Sequence, residues 1–469
     1  MNITNSRKIA LKILNKFYSS SITVEKIIND FFTVNEISNK DKTFINEIVN
    51  GVIRWQIKID FILNLHLTKN ISKLHPQILN ILRIAIYQLF FLDKVPNFAI
   101  VNEAVNLTKQ CKLNSFSGFI NAILRKIISE KQDLILNQND INNFLSVEFS
   151  HPLWLVNRLI SQFGIDETKL ILDSNNHRSQ ITFRVNLAKS SVAEVEDFLR
   201  KEEIIFAKNE LLPNCFSVLS KTKIVNSKLF QDGKITIQDA SSMLCASLTV
   251  PSYSDLIFDL CAAPGGKTCY IAEQILLTKN DYSEKKTNGK IIANDIFSHK
   301  IKLIKENAKR LGFENIEYIC GDALDFGYSK YNEKSEKADI ILLDVPCSGI
   351  GTISRNPDIK HLRQEKDFND LLKLQRKLLL KASELLKVGG ALIYSTCSID
   401  KEENAENIKW FLQNNNQFSL ESADKYIEKS YCESGFLQCF SHKHSTQNFR
   451  IDGAFAARLV KNYQQKFNL

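Results

Sequence analysis

Short apolar runs alternate with amphipathic helices over the second half of the chain, and this alternation restricts the possible folds more than any other feature. The clearest helix carries an apolar stripe from Leu371 to Leu385, and Asp400 with Glu403 resembles a capping box that opens the next helix. Strands that alternate with helices form a mostly parallel sheet covered by helices. We therefore predict an α/β domain over residues 236–469. Its predicted strands are 256–260, 290–294, 316–320, 339–343 and 391–395.

Two smaller regions precede this domain. Ile78, Leu82 and Ile86 recur at helical spacing in a glycine-poor stretch without strand-like alternation, which predicts an all-α domain. The next region combines a predicted strand, 181–185, with a predicted helix, 192–201, and is interpreted as a small α+β module. The predicted division is therefore 1–135, 150–235 and 236–469, with an Asn-rich linker at 131–150 and a polar surface loop at 279–289.

Composition excludes several classes of protein. No apolar run in the 469 residues reaches the roughly 18 residues that would span a bilayer, and the N-terminus lacks the apolar core of a secretory signal. We expect a cytoplasmic monomer without membrane contact. The ten cysteines, including Cys245 and Cys320 within apolar runs, are expected to be reduced, buried thiols. Because there is no Cys-x-x-Cys pair, no metal is expected at the cluster of Cys432, Cys439, His442 and His444.

Positive charge is concentrated in the first third of the chain. Residues 1–130 contain 17 Lys and Arg against 9 Asp and Glu, an excess of 8 out of a net charge of +9. A basic leading domain suits a polyanionic partner such as RNA. A solvated basic surface explains the charge equally well.

A glycine loop, Cys261-Ala-Ala-Pro-Gly-Gly-Lys267, follows the first predicted strand of the α/β domain and precedes a helix. Small residues allow backbone N–H groups to approach a ligand closely, and a helix N-terminus favours negative groups. The loop is not a phosphate-binding P-loop, because Cys261 occupies the position of the required first glycine. An ordinary tight turn between strand and helix is the alternative.

Three acidic residues follow successive predicted strands. Asp295 is placed to accept hydrogen bonds from ribose hydroxyls, Asp322 to meet an adenine amino group, and Asp344 ends the fourth strand. Each alone is as well explained by a helix cap or a solvated turn. Together, on one edge of the sheet, they favour a nucleoside ligand. Without a phosphate loop, S-adenosyl-L-methionine is favoured over NAD or ATP.

Two cysteines also follow predicted strands. Cys347 lies in Asp344-Val-Pro-Cys-Ser-Gly349, and Cys397 lies in Ser395-Thr-Cys-Ser398. A thiolate that adds to carbon 6 of cytosine makes carbon 5 nucleophilic, and a second thiol can help the adduct collapse. Asp344 is placed to hold or protonate the base edge. Either cysteine taken singly is explained equally simply as a small buried hydrophobe, although Pro346 and Gly349 indicate an exposed turn around Cys347.

These motifs resemble those of the Sun-type RNA cytosine-C5 methyltransferases. The matching blocks are 261–267, 344–349 and 395–398, together with Gln238-Asp-Ala-Ser241, Asn356-Pro-Asp-Ile-Lys360 and Asp452-Gly-Ala-Phe455. The stretches Leu82–Leu89, Val101–Val105 and Gly118–Arg125 resemble the NusB-like RNA-binding domain that leads the bacterial 16S rRNA branch of that family.

The resemblance implies a Rossmann-like class I methyltransferase domain preceded by an all-α NusB-like domain. It implies Cys397 as the nucleophile, Cys347 as an aid to product release, and cytosine-967 of 16S rRNA as the target. Because an A-form duplex hides its base edges, a single-stranded segment or loop is the expected substrate. The resemblance also implies that S-adenosyl-L-methionine is bound by Cys261, Ala262, Ala263, Pro264, Gly265, Gly266, Lys267, Asp295, Asp322 and Asp344.

The chain departs from the family pattern at two places. His361 stands where the family often has an aromatic residue, which leaves the RNA contact surface open, and the 279–289 insertion is longer than usual. The alternatives are the same chemistry on tRNA, a catalytically silent RNA-binding assembly factor, and a DNA cytosine methyltransferase. The last of these is disfavoured by the NusB-like region.

Overall fold

A computed structural model describes residues 3–131, 138–218, 224–278, 289–327 and 336–463. The chain divides into two compact units. The first comprises Met1–Asn176 with Asn356–Glu365, and the second comprises His177–Arg355 with Lys366–Leu469. No helix in the described ranges is long and apolar enough to cross a membrane.

The first unit is helical, as predicted. The helix Pro76–Phe91 buries the predicted stripe of Ile78, Leu82 and Ile86, and Pro76 at its first turn costs no hydrogen bond because that N–H would be unpaired anyway. The other helices described in this unit are Ile3–Tyr18, Val24–Val34, Asn39–His66, Asn97–Gln110, Ser117–Ser129, Ile141–Glu148, Leu153–Asn176 and Ile359–Leu362.

The linker prediction for 131–150 is wrong where the structure describes that stretch. Ile141–Glu148 is a helix, because Asp140 caps it by accepting a hydrogen bond from the backbone N–H of Asn143 (3.1 Å) and because Leu145 is buried. The polar composition of this segment made its short apolar stripe hard to recognise from the sequence. Residues 132–137 lie outside the described ranges.

The block Asn356–Lys360 belongs to the first unit. Lys360 is 2% exposed, and its Nζ donates to the carbonyl oxygens of Arg54 and Ser150, both at 2.8 Å. The ring of His361 is hydrogen-bonded through Nε2 to the carbonyl of Ile53 (2.9 Å). Both side chains therefore pack within this unit.

The second unit begins with a small antiparallel sheet. Its strands are β1 (Ile181–Val185), β2 (Phe206–Lys208), β3 (Cys215–Val218) and β4 (Ile235–Ile237), in the order β2-β3-β1-β4. The predicted strand and the predicted helix Val192–Lys201 are confirmed. Arg184 of β1 is fully buried and pairs with Glu273, which fastens this sheet to the rest of the unit.

In the described part of the chain, the main sheet has nine strands. Their order is β11-β12-β13-β9-β8-β5-β6-β7, with β10 paired to β13. The strands are β5 (Leu256–Asp259), β6 (Lys290–Asp295), β7 (Ile316–Cys320), β8 (Ala338–Asp344), β9 (Leu386–Thr396), β10 (Phe418–Glu421), β11 (Cys432–Glu433), β12 (Phe436–Cys439) and β13 (Ala454–Lys461).

The sheet is mixed rather than mostly parallel. Strands β5 to β9 are parallel, as predicted, but β10 to β13 extend the sheet in antiparallel pairing. The sequence analysis missed these last strands, because three of them are only two to four residues long. Cores lie on both faces of the sheet, under the helices Ala240–Ser247, Gly266–Leu277, Ser298–Leu311, Asp367–Leu385 and Ala405–Asn414.

Two further predictions concern segments next to this sheet. The capping box is wrong, because the helix begins at Ala405 and the carboxylate of Glu403 accepts hydrogen bonds from Ser348 instead. The predicted surface loop at 279–289 lies outside the described residues except for Gly289. The parallel order of β5 to β9 brings their carboxyl ends to one edge, where an open α/β sheet binds ligands.

Candidate active site

The two predicted cysteines meet at this edge of the sheet. Strands β8 and β9 are parallel neighbours with Asp344 opposite Ser395, so the loops that follow them carry Cys347 and Cys397 to the same place. Their Sγ atoms lie 3.2 Å apart, which is hydrogen-bonding distance for two thiols. Cys397 is exposed and Cys347 is half-buried. One thiol can therefore reach a substrate while the other stands behind it.

The electrostatics of the pair are asymmetric. The hydrogen bond with Cys397, followed by burial, raises the pKa of the Cys347 thiol well above its ordinary value. Cys347 therefore holds its proton and can donate it toward Sγ of Cys397. The thiolate is the nucleophilic form of cysteine.

Buried polar side chains hold both cysteine loops. Glu403, 1% exposed, accepts hydrogen bonds from the backbone N–H of Ser348 (2.8 Å) and from its hydroxyl (2.5 Å). Asn404 accepts from the hydroxyl of Thr396 (2.6 Å) and donates to the carbonyl of Ser398 (2.9 Å), on either side of Cys397. Sequence reasoning assigned Glu403 to a helix cap and did not identify Asn404, so it missed the support that both residues give to the cysteine loops.

A close backbone contact supports the Cys397 loop from the other side. The N–H of Gly351 donates to the carbonyl of Cys397 (3.1 Å), and the N–H of Gly453 donates to the carbonyl of Gly351 (2.8 Å). Arg355 joins two of the blocks quoted above, since its guanidinium donates to the carboxylates of Asp239 and Asp452, both at 2.9 Å. Three distant segments are thereby fixed around one thiol.

The predicted glycine loop connects β5 to the helix Gly266–Leu277. Gly265 has φ +97° and a Cβ there would lie 3.0 Å from Ile304, so this position requires glycine for both reasons. At the helix start, Nζ of Lys267 donates to Oδ2 of Asp344 (2.6 Å). The carboxylate of Asp344 also accepts from the hydroxyl of Ser395 (2.7 Å). These two hydrogen bonds thus link the glycine loop to the end of β8 and to β9.

Asp259, which ends β5, is a site residue that the sequence analysis missed. Its Oδ2 accepts from the hydroxyl of Thr268 (2.6 Å), and its Oδ1 is buried. Burial raises the pKa of Asp259 to about 7. Its position at a strand end, two residues before Cys261, was the one available signal, and that pattern is not distinctive.

A cavity of about 190 Å³ lies against the glycine loop. The carboxylates of Asp239, Asp259 and Asp344 contribute to its lining, which suits a ligand that carries positive charge. S-adenosyl-L-methionine, with its sulfonium and ammonium groups, fits that requirement. The lining residues are Ile237, Gln238, Asp239, Ser242, Asp259, Cys261, Ala262, Ala263, Pro264, Gly266, Lys267 and Asp344.

Asp295 and Asp322 stand further along the same edge and do not line this cavity. Asp295, at the end of β6, accepts from the N–H of Phe297 (3.0 Å), and Asp322 accepts from the N–H of Leu324 (2.9 Å). Each therefore caps a local turn. The other carboxylate oxygen of Asp295 lies 3.9 Å from Nζ of Lys300.

The remaining cysteines are free thiols in the structure. Cys245 is buried as expected, but Cys320 is exposed at the end of β7, because that strand lies at the edge of the sheet.

The cluster near the C-terminus contains His444, whose Nε2 lies 2.9 Å from the carbonyl of Ser430. Within the described ranges, no three His, Cys, Asp or Glu side chains converge on a metal position.

Comparison with known proteins assigns the chain to a family. The model of the 16S rRNA methyltransferase RsmB/F family matches residues 246–460, that of the NusB family matches 4–129, and that of the RsmF/B-like ferredoxin-like domain matches 151–225. "Probable ribosomal RNA small subunit methyltransferase B" of Bacillus subtilis is 34% identical over 455 residues, which cover 96% of this chain and 98% of the relative. The chain belongs to the 16S rRNA methyltransferase RsmB/F family.

Other relatives of this RsmB/F protein agree with that assignment. "Ribosomal RNA small subunit methyltransferase B" of Pasteurella multocida is 32% identical, with 89% of each chain covered. The crystal structure of PH0851 superposes with a TM-score of 0.79 at 27% identity and covers 98% of this chain and 99% of its own. A methyltransferase homologue from Pyrococcus horikoshii superposes with a TM-score of 0.57 at 26% identity, covering 69% of this chain and 100% of its own.

Membership confirms the predicted family, the fold class and S-adenosyl-L-methionine as cofactor. The enzyme class, a methyltransferase of small-subunit rRNA, is that of the RsmB/F family.

Proposed function

We propose that this RsmB/F protein methylates carbon 5 of a cytosine in 16S rRNA, with cytosine-967 as the target, through a covalent bond from Cys397 to carbon 6. The single observation that carries the proposal is the distance of 3.2 Å between the Sγ atoms of Cys347 and Cys397. One of these thiols is exposed, and both follow strands beside the carboxylate-lined cavity. A pyrimidine C5 methylation needs a nucleophile at carbon 6 and a second group that helps the adduct break down.

The residues divide the chemistry between them. The thiolate of Cys397 forms a bond to carbon 6, and the electron pair of the C5=C6 double bond makes carbon 5 nucleophilic. S-adenosyl-L-methionine supplies an electrophilic methyl group when it is bound. The C5 proton then leaves to a base, the double bond reforms, and the electrons of the C6–S bond return to Cys397. We assign Cys347 to this release step.

The cofactor would be held by the loop Cys261–Lys267 together with Asp295 and Asp322. Asp259 joins this set because it lines the cavity beside the loop. Asp344 would hold the edge of the cytosine, with Lys267 fixing its carboxylate at 2.6 Å.

The RNA must present its target outside a stacked helix. A base has to leave the stack to reach the two thiols, and an A-form duplex hides its base edges, so a loop or single strand is the expected substrate. The basic residues 1–135 would hold the RNA, 150–235 would support the connection, and 236–469 would carry out the reaction. These boundaries are part of the proposal.

The test combines two cysteine variants with mapping of the product. Cys397→Ala should lose methyl transfer to 16S rRNA while calorimetry still shows cofactor binding, and Cys347→Ala should accumulate an RNA–protein adduct on a denaturing gel. Cys111→Ala, a half-buried thiol of the helical unit, is the matched control and should retain activity. Full activity of the Cys397 variant would refute the mechanism.

Mass spectrometry of the RNA identifies the base. 5-Methylcytosine at position 967 of 16S rRNA is the expected product. Methylation of tRNA alone would support the tRNA alternative, and failure to bind the cofactor would support a silent assembly factor.

A further inference from the structure

Glu403 is a buried carboxylate directly behind the Cys347 loop. It is 1% exposed, and no lysine or arginine of the described ranges forms an ion pair with it. Burying a carboxylate without a cation is costly, so every hydrogen bond that it accepts matters. Burial raises the pKa of Glu403, and the hydrogen bonds from Ser348 and Ser398 oppose that rise.

The hydrogen bonds of Glu403 converge on one side of Cys347. Its Oε1 accepts from the N–H of Ser348 (2.8 Å), and its Oε2 accepts from the hydroxyl of Ser348 (2.5 Å). The residue that follows the thiol is therefore bound through both its backbone and its side chain. Such double attachment restricts the rotation of the loop.

The other side of Cys347 is bound to the same carboxylate through Gln375. Its Nε2 donates to Oε1 of Glu403 and to the carbonyl of Pro346, both at 3.0 Å. The residues before and after Cys347 are thus connected to a single buried group.

The carboxylate is itself held in place by the main sheet. The hydroxyl of Tyr394, on β9, donates to the backbone carbonyl of Glu403 (2.7 Å), and the carboxylate of Asp400 accepts from the N–H groups of Glu402 (3.0 Å) and Glu403 (3.4 Å). The strand that leads to Cys397 therefore also anchors the support of Cys347.

We propose that Glu403 is a positioning residue that fixes Sγ of Cys347 beside Sγ of Cys397 for product release. The proposal rests on the release role of Cys347 proposed above. Without the acceptors of Glu403, Ser348 and Gln375 lose the group that they share, and the loop carrying Cys347 moves. A displacement of about 1 Å in a reacting group can slow a reaction about 100-fold.

Two substitutions of Glu403 distinguish the loss of its hydrogen bonds from the loss of its negative charge. Glu403→Gln keeps an oxygen for Ser348 N–H and Gln375, and its amide can donate to the Ser348 hydroxyl, which then donates to Ser398 at 3.1 Å. Glu403→Ala removes every one of these partners. Glu402→Ala is the matched control, because Glu402 is the adjacent glutamate and is partly exposed.

The first measurement uses the full-length enzyme with 16S rRNA and S-adenosyl-L-methionine. Glu403→Ala should slow turnover about 10- to 100-fold and accumulate the covalent RNA adduct, while Glu403→Gln and Glu402→Ala should turn over at the wild-type rate. Loss of methylation in Glu403→Ala without an adduct, while Cys347→Ala does trap one, would overturn the proposal.

The second measurement needs neither RNA nor cofactor. Diamide takes two hydrogens from the thiols of Cys347 and Cys397 and joins their sulfurs, and mass spectrometry of the linked peptides gives the rate. Glu403→Ala should form this disulfide more slowly than Glu403→Gln. If the Glu403→Ala variant does not fold, Ser348→Ala is measured instead. An unchanged rate would refute the positioning role. The rate of disulfide formation depends on how the two sulfurs are placed and does not require methyl transfer. Failure of Cys347→Ala to trap an adduct would therefore count against the proposed function alone.

Discussion

Replacing Gly351 with alanine tests how the Cys397 loop is held. Gly351 touches the loop backbone, since its N–H donates to the carbonyl of Cys397 (3.1 Å). A Cβ at this position would lie 2.3 Å from the carbonyl oxygen of Gly453 and 2.9 Å from that of Cys397. Both neighbours are backbone atoms, so they cannot yield by rotating a side chain.

The size of the effect follows from these distances. Ordinary contact with a Cβ begins at 3.4 Å, so the segments around Gly351 and Gly453 must separate by about 1 Å. Overpacking of this kind costs about 1–3 kcal/mol of unfolding free energy. A shift of about 1 Å in the loop of Cys397, the proposed nucleophile, is expected to slow methyl transfer about 100-fold.

The assay is single-turnover transfer of a labelled methyl group to 16S rRNA, measured beside thermal unfolding. Gly118→Ala is the control, because a Cβ there meets nothing within 4 Å and the residue lies in the helix Ser117–Ser129. It should keep the wild-type rate and gain up to about 1 kcal/mol of stability. A Gly351→Ala enzyme that transfers methyl groups at the wild-type rate would show that this contact does not place Cys397.

Two further predictions concern buried titratable groups. The pKa of Asp259 is raised to about 7 by burial, so between its ordinary 3.8 and about 7 the folded state binds more protons than the unfolded state, and stability falls as pH rises. Asp259→Asn should remove that fall in urea denaturation, and parallel pH profiles would contradict the assignment. Burial lowers the pKa of Lys360 well below 10.5, so the unfolded state binds more protons across that window, and stability rises with pH up to 10.5. Lys360→Met should flatten this rise in the same measurement, and an unchanged slope would show that the amine is not buried in solution.

Local patterns were sufficient for the elements that are long or strongly periodic. The helix Val192–Lys201 and the strand Ile316–Cys320 were predicted with the bounds that the structure shows. The strands β11 and β12 were missed, because two to four residues carry too little periodicity to be recognised. The helix Ile141–Glu148 was hidden by its polar composition.

The site divides in the same way. A motif states which residue types follow a strand, so the sequence alone singles out Cys347, Cys397 and Asp344 as candidates. Asp259 was missed because a buried acidic strand end has no distinctive local pattern. Glu403 was assigned to a cap because its spacing from Asp400 suits one.

The order of residue types along the chain determined the layers, the parallel centre of the sheet and the edge at which both thiols would emerge, because the carboxyl ends of parallel strands share one edge. Only the tertiary structure decided that the two sulfurs lie 3.2 Å apart and that Glu403 supports one of them. These contacts join positions 50 or more residues apart. Periodicity describes the neighbours of a residue along the chain, whereas a hydrogen bond between distant segments depends on how the whole sheet is assembled.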